Sequence, residues 1–254
     1  MTRVVVNGVG KLGRAVIAAS QDPASGEDVT VVAGVDARGG PSTKTLGIPV
    51  VGVFEAVPED FDVIVDCSRA DAVVDVLDFA LANDKSVVIA ATGHSREQLE
   101  AIAEAAQKIP VLHSSNLSLG VNVLRRLVEN AGAMLGPVDA EIVETHHRMK
   151  VDAPSGTALT LAEALRDATD SDREFVYGRS PEDHGARGKE IGIHAVRGGT
   201  VVGEHTVTFL LDDEILELRH VAQSRGVFGY GALKASAFVA AQEPGLYSMA
   251  DLLG

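Results

Sequence analysis

Five short runs, RVVVNG (3–8), VTVVAGVD (29–36), FDVIVDCS (61–68), SVVIAATG (86–93) and PVLHSS (110–115), punctuate the first half of the chain. Each is apolar almost without alternation, the pattern of a parallel strand buried on both faces. Helical patterns over KLGRAVIAASQ, ADAVVDVLDFALAND and REQLEAIAEAAQK lie between several of them. Parallel neighbours cannot be joined by a tight turn, so the alternation predicts an α/β fold with a doubly wound parallel sheet of the Rossmann type.

The first strand runs straight into NGVGKLGR, which places Gly8, Gly10 and Gly13 in G-x-G-x-x-G spacing at the start of the first helix. The first glycine permits a tight turn, the second lets a pyrophosphate approach the backbone, and the third lets helix and strand pack closely. Lys11 and Leu12 complete this loop, and the helix N-terminus offers N–H groups to phosphate. Asp36 closes the second strand, where a carboxylate accepts from the ribose 2′-OH and repels a 2′-phosphate. Arg38, two residues on, can face such a phosphate. The expectation is therefore a dinucleotide site that prefers NADH and tolerates NADPH.

The pattern changes after SSNLSLGVNVLRRLVENAGAML, which reads as a long amphipathic helix. DAEIVETH, EIGIHAVRG, TVVGEHTVTFLL and EILELRHVAQ then read as strands, with hairpins expected at Gly198-Gly199 and Asp212-Asp213. This predicts an inserted α+β domain with a mostly antiparallel sheet. The stretch DATDSDREFVYGRSPEDHGARGKE reads as a solvated loop whose basic residues carry no function. GALKASAFVAAQ closes the chain as a helix rich in small residues, and YSMADLLG is left to pack on the nucleotide domain or on a neighbouring subunit.

A formal net charge of -14 argues against a nucleic-acid or anionic-membrane surface. An anionic substrate then needs a local basic pocket. The lone cysteine, Cys67, excludes an internal disulfide and suits a reducing compartment. No apolar run approaches a membrane span, and the strand pattern starts at once, so a soluble cytoplasmic protein is expected.

ETHHRMKVDAPSGTA (144–158) supplies such a pocket. Adjacent strand positions point to opposite faces, and Lys150 repels a cation, so joint metal ligation by His146 and His147 is not expected. Ser155, Gly156 and Thr157 form a turn opening the helix ALTLAEALRDA, whose Leu159, Leu161 and Leu165 can form an apolar face. Its N–H groups and the Thr157 hydroxyl can grip a carboxylate, and Lys150 adds a point charge. A carboxylate receptor beside a titratable imidazole suits an imine or hydroxy-acid reductase.

This segment resembles the signature of the dihydrodipicolinate reductase family, enzymes of lysine and diaminopimelate synthesis. GKLGR, ATG (91–93), SSNLSLGVN (114–122), RGGTVVGEHTV (197–207) and SRGVF (224–228) extend the resemblance over nearly the whole chain. It implies a nucleotide domain at 1–117, a substrate-binding and oligomerising domain at 118–225 and a return to the nucleotide domain at 226–254. It also implies a homotetramer, with hydride passing from NADH or NADPH to a cyclic dicarboxylate. His146 is implied as the acid/base, and Lys150 as a second proton donor that also contacts substrate. His147, Gly156 and Thr157, with Ser155, would hold the substrate carboxylates. Ala90, Ala91 and Thr92 match the family's nicotinamide loop, though the two alanines replace a Gly and a Thr and leave backbone contacts. Ser114, Ser115, Asn116 and Leu117 match a second cofactor run, and Arg225 and Phe228 a hinge-side pair. The glycine loop is one residue shorter than the family's G-x-x-G-x-x-G form.

Two rival readings are open. A thiolate at Cys67 would suit a semialdehyde dehydrogenase, although a lone cysteine more often packs as a small hydrophobe. A non-catalytic NAD-responsive sensor would use the glycine loop but has no use for the His-His…Lys and Ser-Gly-Thr set. His205 and His220 read equally well as cleft or sheet-packing residues and are left outside the site.

Overall fold

The computed structural model describes residues 1–37, 43–58, 60–180 and 186–254. They form two compact units, Met1–Leu119 with Arg225–Gly254, and Gly120–Ser224. No described helix is long and apolar enough to cross a membrane.

The first unit runs β1 (Thr2–Asn7), α1 (Lys11–Ser20), β2 (Val29–Val35), α2 (Thr43–Leu46), β3 (Val50–Val51), β4 (Val63–Asp66), α3 (Val73–Asn83), β5 (Ser86–Ile89), α4 (Arg96–Ala105) and β6 (Pro110–His113). The helix α5 (Leu119–Leu135) then leads into the second unit, which runs β7 (Asp139–His146), α6 (Gly156–Thr169), β8 (Phe175–Tyr177), β9 (Ile191–Arg197), β10 (Gly203–Leu210) and β11 (Ile215–Ala222). The chain returns to the first unit with α7 (Gly226–Val239), β12 (Gly245–Tyr247) and α8 (Met249–Leu253).

All pairings in the first sheet are parallel, in the order β12-β6-β5-β4-β1-β2-β3. The near-continuous apolar runs have the expected cause. On β1, Val4 and Val6 enter a cluster with Val16 and Ile17 of α1 and Leu233 and Val239 of α7. Val5 enters a second cluster with Leu77 of α3 and Ile102 of α4. Each fully buried valine or leucine contributes roughly 1.5–3 kcal/mol. The final segment, open in the sequence, belongs to this unit: β12 extends the sheet beside β6, and Met249 is buried in the first cluster.

The second sheet has the strand order β11-β10-β7-β9-β8. It is mixed: β10 pairs antiparallel with β7 and β11, whereas β9 pairs parallel with β7 and β8. The hairpin at Asp212-Asp213 is present, joining β10 and β11. The one at Gly198-Gly199 is not, because β7 lies between β9 and β10. The predicted helix α6 is the reason. It is a crossover connection after β7, and such a connection returns the chain parallel to the strand it left. The supposed solvated loop also contains structure: β8 and the buried Arg173, which donates to Val138 and Glu190 carbonyls. Residues 181–185 of that stretch lie outside the described residues. Leu161 and Leu165 of α6 and Val128 of α5 cover Ile142, Val207 and Phe209 of the sheet.

Candidate functional site

In the first unit, strand order reverses between β1 and β4, where an open α/β sheet forms its ligand crevice. A cleft of about 310 Å³ opens there, lined by Asn7, Gly8, Gly10, Asp36, Cys67 and Ser68 among others. Gly8 has φ +84, and a Cβ on it would sit 2.7 Å from the Ser68 backbone. A Cβ on Gly13 would sit 2.1 Å from the Gly8 carbonyl oxygen, so α1 can start this close to the turn only with glycine. A Cβ on Gly10 would meet nothing within 4 Å, so its face of the cleft is open to a ligand. Asp36 Oδ2 accepts from Val9 N at 3.2 Å, tying the acid to the glycine loop. These features fit a pyrophosphate and an adenosine ribose.

Ala90, Ala91 and Thr92 directly follow β5, and Ser114 through Leu117 follow β6, so both runs leave the sheet at the same edge as Gly8. Ser114 Oγ donates to Asn116 O at 2.9 Å, whereas Leu117 is a core side chain with only backbone to offer. Lys11 is exposed at the start of α1, with Leu12 partly buried behind it. Arg225 and Phe228 lie at the start of α7, outside the cleft lining. Arg38 lies outside the described residues. The sequence reading missed the clamp beneath the loop. Buried Asp66 accepts from Asn7 Nδ2 (2.9 Å), Ser68 N (3.1 Å) and Ser68 Oγ (2.5 Å), joining β1 and β4 where they diverge. Burial pushes its carboxyl up. Burial and the Asp66 charge likewise push the Cys67 thiol up, so it is not a ready thiolate.

In the second unit, β7 alternates so that Ala140, Ile142, Glu144 and His146 face the helices. The first two are core, and the last two carry that face into polar chemistry. Glu144 is fully buried. Its Oε2 lies 2.6 Å from His146 Nδ1, its Oε1 accepts from Ser155 N at 2.9 Å, and Arg197 of β9 donates to both oxygens at 2.7 Å. A buried carboxylate is tolerated only when paired in this way; losing a partner costs about 3–5 kcal/mol. Burial pushes Glu144 up, but Arg197, His146 and the Ser155 N–H outweigh it and hold the carboxyl below its ordinary value. For His146, burial pushes the imidazole down and Glu144 pulls it up. Lys150 and Arg197 add to the downward push, so it titrates below its ordinary value.

Ser155 caps α6, its Oγ accepting from Ala158 N at 3.2 Å, a cap worth about 1 kcal/mol. The same hydroxyl is 3.1 Å from His205 Nε2, and the His146 and His205 rings meet edge-on with centroids 5.2 Å apart. Burial and the neighbouring His146 push His205 down to about 4, so it is neutral at physiological pH. Lys150 is 20% exposed and pairs with Asp152 at 2.8 Å. His147 follows the end of β7 with a buried Nδ1 that has no protein partner. Gly156 and Thr157 form the first turn of α6, with Gly156 exposed and open space where a Cβ would lie. The structure thus brings His146, Lys150 and Ser155–Thr157 together and adds Glu144, Arg197 and His205. Glu144 and Arg197 carried only one signal, a charged residue at an inward strand position. His205 belongs to the cluster, whereas His220 meets it only through its pairing with His205.

The family models for the dihydrodipicolinate reductase N-terminus and C-terminus match residues 2–117 and 120–253. The chain is 46% identical over its whole length to a 4-hydroxy-tetrahydrodipicolinate reductase of Caldanaerobacter subterraneus, covering 98% of that protein. It is 42% identical to the Clostridium novyi protein of the same name, again over all of this chain and 98% of the relative. Among solved structures, a dipicolinate-bound dihydrodipicolinate reductase from Paenisporosarcina superposes with a TM-score of 0.79 at 26% identity, covering 98% of this chain and 97% of that one. A probable dehydrogenase from Thermotoga maritima shares the fold at a TM-score of 0.67 and 12% identity, over 98% of this chain and 92% of that one. With both halves matched and full-length relatives above 40% identity, the chain belongs to the dihydrodipicolinate reductase family.

Proposed function

We propose that this chain reduces 4-hydroxy-tetrahydrodipicolinate to tetrahydrodipicolinate with NADH or NADPH, in diaminopimelate and lysine synthesis in the cytoplasm. The observation that carries the reading is the cluster in the second unit, where a titratable imidazole sits beside a helix N-terminus and a lysine. When bound, the reduced nicotinamide supplies a hydride to the ring of the unsaturated intermediate formed by loss of the 4-hydroxyl. The glycine loop, Asp36, residues 90–92 and 114–117, and Arg225 with Phe228 hold that cofactor.

The first turn of α6, with Ser155, Gly156 and Thr157, receives a substrate carboxylate, helped by the helix dipole. His147 and Lys150 hold the second charge. His146 gives up a proton as the hydride arrives and regains it from solvent. Burial holds this imidazole below its ordinary value, and a bound dianion beside it would raise its pKa toward working pH. Lys150 steadies negative charge on the substrate and serves as a second donor. On the opposite face of the sheet, exposed Val143, Val196 and Val221 support subunit association as a homotetramer.

The test is oxidation of NADH by the chain with freshly made condensation product of pyruvate and aspartate semialdehyde. Turnover that needs that product supports the reading, and cofactor binding without turnover favours the sensor instead. The same assay with NADPH is expected to give a lower kcat/KM, because Asp36 stands where a 2′-phosphate would go.

A further inference from the structure

We infer that Glu144, gripped by Arg197, is the positioning residue of the acid/base: it accepts the Nδ1 proton of His146, so that Nε2 is the nitrogen exchanging a proton with substrate. This rests on the reading that His146 is the proton donor. Three observations carry it. First, Nδ1 is 2.6 Å from a carboxylate whose remaining capacity is taken by Arg197 and Ser155 N. An ionised carboxylate only accepts, so the proton in that contact belongs to the ring. Second, position 203 is a glycine, where any side chain would crowd Nε2: a Cβ there would lie 3.0 Å from that atom. Third, Arg197 is itself fixed, donating to the Asp152 carbonyl at 2.6 Å and lying opposite His146 in the strand register.

One carboxylate therefore links three parts of the site. It orients the imidazole, bonds the backbone of the Ser155 cap that starts the anion-receiving turn, and is braced by a strand 53 residues away in the chain. The proton balance is simple. Doubly protonated, cationic His146 releases the Nε2 proton to substrate and becomes neutral, with its last proton on Nδ1 facing Glu144. Water then returns a proton to Nε2.

The charges around the ring decide the test. Glu144 on the same strand favours the protonated ring, while Lys150 on the following loop and Arg197 on β9 oppose it. His205 on β10 is neutral. Glu144→Gln keeps the shape and removes the favourable charge. Arg197→Gln removes an opposing charge and leaves Glu144 in place. For a proton donor, kcat/KM falls as pH rises through the donor's pKa. That limb is expected to move down by about one pH unit in Glu144→Gln and up by about one in Arg197→Gln. In Glu144→Gln, kcat is expected to fall at least about tenfold with KM changed less. In the wild type, ¹⁵N shifts of neutral His146 are expected to place its proton on Nδ1.

Limbs that coincide with the wild type in both variants, or a proton found on Nε2, overturn the positioning role. A merely structural role would lower activity in both without moving either limb. Should Glu144→Gln fail to fold, Arg197→Gln and the wild-type tautomer still decide the question. His146→Ala separates the two layers. If it keeps full turnover, the donor assignment falls and this inference with it. If it is inactive while the limbs stay still, only the role of Glu144 falls.

Discussion

The two units build their sites from different materials. The nucleotide cleft is shaped by backbone: Gly8 and Gly13 let strand, turn and helix approach within distances that no side chain permits. The polar cluster of the second unit is shaped by side chains, with Glu144, His146, Arg197 and His205 meeting from three strands of one sheet. A backbone site depends on local spacing and tolerates changes in its neighbours. A side-chain site depends on strand register and on the balance of buried charge. Mutations should therefore fail differently in the two places.

The sharpest contrast is His146→Ala, and Lys150→Ala beside it. Each is expected to cut turnover by roughly 10²-fold or more while NADH affinity, measured by fluorescence titration, stays as in the wild type. Weakened cofactor binding in these variants would break the division of labour. Gly13→Ala should do the reverse. The added methyl collides with the Gly8 carbonyl, costing about 1–3 kcal/mol or more, so cofactor affinity and the melting temperature should both drop.

A third test concerns charge balance. His205 is held down to about 4 in the fold, against about 6.5 when unfolded. Between those values the unfolded chain binds the extra proton, so stability is present at pH 7 and is lost as pH falls through that window. Urea unfolding should show a loss of roughly 2–4 kcal/mol from pH 7.5 to pH 4, and His205→Gln should flatten that dependence. The smallest effect is expected at Cys67→Ala, which should keep turnover in the NADH assay. A thioester-forming enzyme would lose all of it.

The same contrast explains what could be read before the structure. Glycine spacing and apolar runs are local, so the strands, the cleft and even Asp36 could be placed from a few consecutive residues. The ETHH…SGT segment is legible for a similar reason, since His146 and the helix turn at Ser155–Thr157 are neighbours in the chain. Arg197 is 53 residues from Glu144 and His205 is 50 from Ser155, and only the sheet order brings them together. That order follows from the crossover through α6, which no local pattern around Gly198-Gly199 announces. A glycine pair looked like a hairpin, although the strands on either side of it pair with β7 and not with each other. β3, β8 and β12 have two or three residues each and carry too little periodicity to be seen.

The return of the chain through α7, β12 and α8 bears on how this molecule is made. Val4 and Val6 share a cluster with Leu233, Val239 and Met249, so the first strand waits for almost the last helix before its burial is complete. Residues 120–224 carry every strand of the second unit together with α6 and all but the first residue of α5. On a ribosome, domains usually mature from the N-terminus onward. Here the middle of the polypeptide can reach its final form first, while the nucleotide half stays unfinished with apolar strands unsealed. Unsealed apolar strands of this kind are what make a partly made chain prone to aggregation.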